Sequence, residues 1–183
     1  MAKSYALMVS RSRIRVRTYA KGLLSALAHD LELEVVPSRG SAGPLPNGSW
    51  SALIDVAIDD LRVNGAIKRG KLDHSALSPS DMAEILRRMR ADVFSGEKRM
   101  MVEAVGTLDR YKVEVTIGTR RPVEIAAKIA VTDRGAEVEV RASGTASLRA
   151  LGSPEIKGPM GAFALKDEIE LEVELILRDG SVP

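Results

Sequence analysis

Alternation of apolar and polar positions with a period of two runs through most of the chain, the pattern of strands with one buried and one wet face. In segment 13–17, Ile14 and Val16 face one way and the arginines the other. Segment 30–35 sets Leu31, Leu33 and Val35 against Glu32 and Glu34. Segment 50–58 offers Trp50, Ala52, Ile54, Val56 and Ile58; segment 98–106 offers Met100, Val102 and Ala104. Segment 111–117 offers Tyr111, Val113, Val115 and Ile117; segment 121–131 offers Val123, Ile125, Ala127, Ile129 and Val131. Segment 136–148 offers Val138, Val140, Ala142, Gly144, Ala146 and Leu148. The last strand sets Ile169, Leu171, Val173, Leu175 and Leu177 against Glu168, Glu170, Glu172 and Glu174. The pattern predicts eight antiparallel strands, several longer than the usual ~5–6 residues. Long strands with sustained alternation suit a closed barrel, which removes exposed edges.

Two helical pieces interrupt the strands. Ser78-Pro79-Ser80-Asp81 reads as an N-cap with proline at the first helical position and an acid at the third. Behind it Met82, Ile85, Leu86, Met89 and Val93 recur at helical spacing, so a helix to about Phe94 is predicted against one barrel opening. Segment 22–28 reads as one or two helical turns. Segments 38–48 and 152–162 read as loops; the second carries Ile156 and Met160 and has the length of a lid.

The charge pattern supports closure. Arg11, Arg13, Arg15 and Arg17 stand on one face of the first strand. In a closed meander that strand lies between the second and the last, so the arginines fall between two glutamate ladders and pair across strands. Arg87, Arg88, Arg90, Lys98 and Arg99 form a second basic group, with fewer acids nearby in sequence. It reads either as a solvated helix face or as a contact for a pyrophosphate or an anionic membrane surface.

Composition narrows the function. The chain has 183 residues, 45% of them apolar, enough for a sizeable core; residues 1–183 read as a single domain. Lys and Arg number 27 against 25 Asp and Glu, a formal charge of 27 − 25 = +2, so no nucleic-acid footprint is expected. The absence of cysteine excludes disulfides, thiolate metal sites and cysteine nucleophiles. No signal-like apolar run occurs in residues 1–17, and no window approaches the ~18 apolar residues of a membrane helix, so the chain reads as cytoplasmic.

Catalytic signals are weak. His29 and His74 are the only histidines. His29 and Asp30 are neighbours on a strand and point to opposite faces, and no nucleophile elbow accompanies them. No catalytic residue, metal or cofactor is expected.

In order and spacing the chain resembles the YceI-like family, named for polyisoprenoid binding. Tyr5 and Ser12-x-Ile14-x-Val16 are similar to its opening strand, and Gly22 followed by Ala28-His29-Asp30-Leu31-x-Leu33 to its second. Asp81, Ile85, Met89 and Val93 fall where its helix lies. Gly106-Thr107-Leu108 and the run Val115-Thr116-Ile117-Gly118-Thr119-Arg120-Arg121-Pro122-Val123 resemble its central hairpin. Met8, Lys98-Arg99 and Leu151-Gly152-Ser153-Pro154 depart from its pattern. The resemblance implies an all-β, eight-stranded, lipocalin-like up-and-down barrel with an amphipathic helix near one opening.

It also implies non-enzymatic binding or carriage of an isoprenoid or related lipid inside the barrel. Small inward residues such as Ala52, Ala104, Ala127, Ala142, Gly144 and Ala146 leave room for a slender ligand, or else match the taper of a packed barrel. The candidate lining is Trp50, Ile54, Val56, Met100, Val102, Tyr111, Val113, Ala127 and Ala142, with Met82 and Met89 as adaptable thioethers. His29, Arg87 and Arg88 are candidates for the ligand's polar head. Expected partners are the lipid, a transient anionic membrane surface and a second copy of the chain. Two alternatives stay open: an enzyme acting on an amphipathic substrate through His29, and a filled barrel serving protein contacts.

Overall fold

The computed structural model describes residues 4–22, 29–107, 110–158 and 164–180. Within them the strands make the eight staves of a closed antiparallel barrel, in chain order. The first stave is β1 (Tyr5–Leu7) and β2 (Arg13–Thr18), broken by a 3-10 turn at Val9–Arg11. A two-residue strand, β3 (Ala20–Lys21), follows. The second stave is β4 (Asp30–Val35) and β5 (Arg39–Pro44), bent at Pro37. The third is β6 (Trp50–Ala57) and β7 (Arg62–Lys68), with β8 (Lys71–Asp73) folding back on β7. The next four are β9 (Arg99–Thr107), β10 (Arg110–Ile117), β11 (Val123–Asp133) and β12 (Glu137–Ser147). After β13 (Ala164–Leu165), which pairs with β3, comes the last stave, β14 (Glu168–Asp179). β14 closes the ring, holding β12 on one edge and β1 and β2 on the other.

Two predicted boundaries needed correction. Segment 38–48 was expected as a loop, but Arg39–Pro44 is a strand paired with both β1 and β6. Its Gly, Ser and Pro residues have poor strand propensity, and two neighbouring strands supply the ladder that overrides it. The third stave was expected to end at Ile58, yet it continues as β7. Leu33 pairs with Val63, Glu32 with Gly65 and Leu31 with Ala66, so Asn64 is left out of the register. That bulge breaks the period of two and hides the strand from an alternation test. Gly65 is required there: a Cβ would come 2.5 Å from the Asp73 carbonyl oxygen of β8. The helical turns expected at 22–28 lie outside the described residues from position 23 onward.

The arginine ladder lies between the two glutamate ladders. Arg13 contacts Glu174 at 3.2 Å, and Arg15 contacts Glu172 at 3.3 Å and Glu34 at 3.6 Å. Arg17 contacts Glu32 at 3.0 Å and Glu172 at 3.2 Å. Arg11 is off the ladder, in the 3-10 turn, and reaches Glu137 of β12 at 2.7 Å. Each exposed pair contributes little alone, but a linked network on adjacent strands fixes their register.

Asp55, on the outer face of β6, is 5% exposed beneath Arg39 and Arg99. Burial by itself raises its pKa; hydrogen bonds from Arg99 and Arg39 outweigh that and hold it below the usual carboxylate range. A depressed folded pKa stabilises the fold above the unfolded value of about 3.9, and that contribution is lost as pH falls through the folded value. Asp55→Asn is therefore expected to destabilise the protein by about 2 kcal/mol at pH 7, discounted because both arginines are largely exposed. In denaturant titrations the difference should shrink at pH 3; an equal difference at both pH values would show that the charge is not what matters.

The helix α1 (Pro79–Arg88) begins with the expected capping box. Ser78 Oγ accepts from the Asp81 amide at 3.2 Å, and Asp81 Oδ2 accepts from the Ser78 amide at 3.0 Å. It runs on as a π-helical turn, Met89–Val93, that brings Met89, Val93 and Phe94 over one end of the barrel. Arg120 ties this cap down, donating to the carbonyls of Val93 (3.0 Å) and Leu151 (2.8 Å) and to Ser95 Oγ (3.1 Å).

Candidate ligand cavity

The inward side chains of the staves do not meet at the barrel axis. They enclose a cavity of about 610 Å³, within the range of small-molecule sites. Its wall is almost wholly hydrocarbon, because nearly all the inward residues of the alternating strands are aliphatic or aromatic. Exposure of those inward residues shows which end is the more open. Along β6, Ile54, Val56 and Ile58 beyond it are buried, whereas Trp50 and Ala52 are only half-buried. Along β11, Ile125 is buried, Ala127 and Ile129 are half-buried, and Val131 is 41% exposed. Along β10, burial likewise weakens from Ile117 to Tyr111. The closed end is the one under Val93, Phe94, Leu148 and Leu151. The other end, which carries the β11–β12 turn with Val131 and Asp133 on its lip, is the more open one, and on its facing side Tyr5, Val138 and Leu177 form a buried cluster.

This architecture is shared with two solved proteins. BcnA of Burkholderia cenocepacia superposes with a TM-score of 0.57 at 13% identity, over 93% of this chain and 98% of that one. A polyisoprenoid binding domain from Saccharophagus degradans, implicated in plant cell wall breakdown, gives 0.56 at 9% identity, over 96% and 98%. At such identities the likeness is one of fold, and it is the barrel that the strand pattern implied. No family model and no curated protein matches the chain.

Ten of the candidate residues line the cavity: Trp50, Ile54, Val56, Met89, Met100, Val102, Tyr111, Val113, Ala127 and Ala142. Four do not. Met82 is half-buried on α1, away from the lining. His29 is exposed and is not among the lining residues. Arg87 and Arg88 lie on the outer face of α1, both bonded to Glu84, at 2.7 and 2.8 Å. The hydrogen bonds donated by Arg87 and Arg88, ahead of their charges, hold the Glu84 pKa down to about 2. The rest of the second basic group is also matched: Arg90 and Lys98 contact Asp59, each at 3.4 Å, and Arg99 contacts Asp55. The expectation of few nearby acids was therefore wrong. Asp59 precedes these residues by some thirty to forty positions, and only the turn at Ile58–Asp60 brings it to them.

Sequence reasoning passed over Tyr5, Thr18, Phe94 and Leu151, which also line the cavity. Thr18 continues the Ile14–Val16 alternation and was legible from it. Phe94 and Leu151 follow elements whose docking only the closed barrel determines. Met160 lies outside the described residues. Among the described residues no group of three or more His, Asp or Glu side chains is placed to hold a metal ion, and no helix is long and apolar enough to cross a membrane.

Proposed function

We propose that the barrel binds, without chemical turnover, a long apolar ligand of the isoprenoid or related lipid class, held along its axis. The observation that carries this is a cavity of about 610 Å³ with an aliphatic wall, closed at one end and more open at the other. A stave of 11 residues is ~36 Å long and, tilted as barrel strands are, spans roughly 28 Å of height. A cavity of that volume running along such a bore favours a chain molecule over a compact one. Each buried methylene contributes about 0.8 kcal/mol, so a tail of a dozen carbons offsets the several kcal/mol lost on association. The aligned folds include one described as a polyisoprenoid binding domain, which supports the same ligand class.

Mass spectrometry of an organic extract from protein purified without detergent tests this directly. A prenyl or acyl lipid in stoichiometric amount is expected. An empty extract together with no uptake of added isoprenoid alcohol would remove the lipid-binding reading.

A further inference from the structure

Among the fully buried side-chain atoms of the cavity-lining residues, one polar group is left without a partner. Thr18, the inward residue at the end of β2, is among the residues lining the cavity and is 2% exposed; its hydroxyl has no hydrogen-bond partner and is shielded from the empty cavity by its neighbours. Buried hydroxyls are seldom left unpaired, since desolvation without a partner is unfavourable. The other such atom among the described residues, Arg90 Nε, sits 3.4 Å from Asp59 in an ion pair, so Thr18 alone is without recourse. Its place is deep. Arg17 pairs with Glu170 in the β2–β14 register, which sets Thr18 level with Ile169, a buried residue of the closed end.

Charge on the wall points the same way. No Lys, Arg or His is among the described residues of the lining, and its single ionisable carboxylate, Asp133, lies at the open lip. An ionised phosphate drawn into this cavity would lose its hydration with no counter-charge in return. An uncharged oxygen function loses far less, and a threonine hydroxyl both donates and accepts.

Resting on the lipid-binding reading, we propose that the ligand enters head-first, and that the Thr18 hydroxyl, turned toward the cavity by rotation of its side chain, is the hydrogen-bond partner of an uncharged oxygen function, an alcohol or a carbonyl, at the ligand's leading end. The site then selects neutral amphiphiles over their phosphorylated counterparts. It also takes over the head-group role that the sequence assigned to His29, Arg87 and Arg88.

Trp50, the only tryptophan of the chain, lines the cavity and reports occupancy by its fluorescence. Wild type, Thr18→Val and Thr18→Ser are titrated with geranylgeraniol, the hydrocarbon of the same skeleton, and geranylgeranyl diphosphate. Valine matches threonine in shape and breaks no existing side-chain hydrogen bond, so the fold is not at stake. Thr18→Val is expected to weaken the alcohol about five- to tenfold and leave the hydrocarbon unchanged, while Thr18→Ser keeps the alcohol affinity. The diphosphate is expected not to saturate wild type. Equal alcohol affinity in wild type and Thr18→Val, or a diphosphate bound as tightly as the alcohol, overturns the proposal and leaves lipid binding intact. Failure of all three probes to bind wild type overturns both.

Discussion

Ala142→Phe is expected to cut the affinity for a prenyl alcohol roughly fiftyfold while the barrel remains folded. Ala142 lies on β12 between Ile129 of β11 and Val173 of β14, with all three facing the cavity. Its small side chain leaves part of the bore free. A phenyl ring there occupies the path of the ligand's tail and excludes about three methylenes. At ~0.8 kcal/mol each the loss is about 2.4 kcal/mol, or close to fiftyfold. The ring gains contacts with atoms that otherwise border empty space, so the unliganded protein should melt no lower than wild type. Titration followed by Trp50 fluorescence, paired with thermal melts, reads both effects. Unchanged affinity in a variant with a normal melt would mean that the ligand does not run along the bore.

Gly144→Ala, two residues along the same strand, is expected to fail in the opposite way, through the fold. A Cβ at position 144 would lie 2.4 Å from the Ala126 carbonyl oxygen and 3.2 Å from Ala127 Cα. These are backbone atoms of β11, held in register by the β11–β12 ladder. They cannot withdraw without stretching it. Overpacking of this kind costs about 2–3 kcal/mol, which lowers the melting temperature of a chain this size by roughly 6–10 °C. A melt within about 2 °C of wild type would show that the strand absorbs the methyl group by a shift.

These two substitutions separate readings that the sequence held together. Ala127, Ala142 and Gly144 appeared as one class of small inward residue, either making room for a ligand or matching the taper of the wall. In the structure Ala127 and Ala142 border open space, whereas Gly144 stands where one strand crowds the next. All three line the cavity, and only at Gly144 does the close approach of the next strand also exclude a side chain. One-dimensional pattern cannot tell them apart, because the distance between neighbouring backbones depends on local twist and coil.

The same limit governed the charged residues. The arginine and glutamate ladders were legible because alternation and strand order alone decide which side chains face each other across a closing pair. Arg15 meeting Glu34 on one side and Glu172 on the other follows from that logic. The acids that neutralise the second basic group were not legible. Asp59 and Asp55 reach it through the third stave, whose turn and bulge interrupt the period of two.

By itself the sequence determined the strand periodicity, which residues face inward, the capped helix and the pairing that closes the ring. Each depends on local geometry or on nearest-neighbour strand order. Only the tertiary structure decided that the interior is hollow, which end is the more open, and that no cation stands among the described residues of the lining. Those features depend on how far apart the walls stand and on where the helix docks, and both are set by packing between residues distant in the chain.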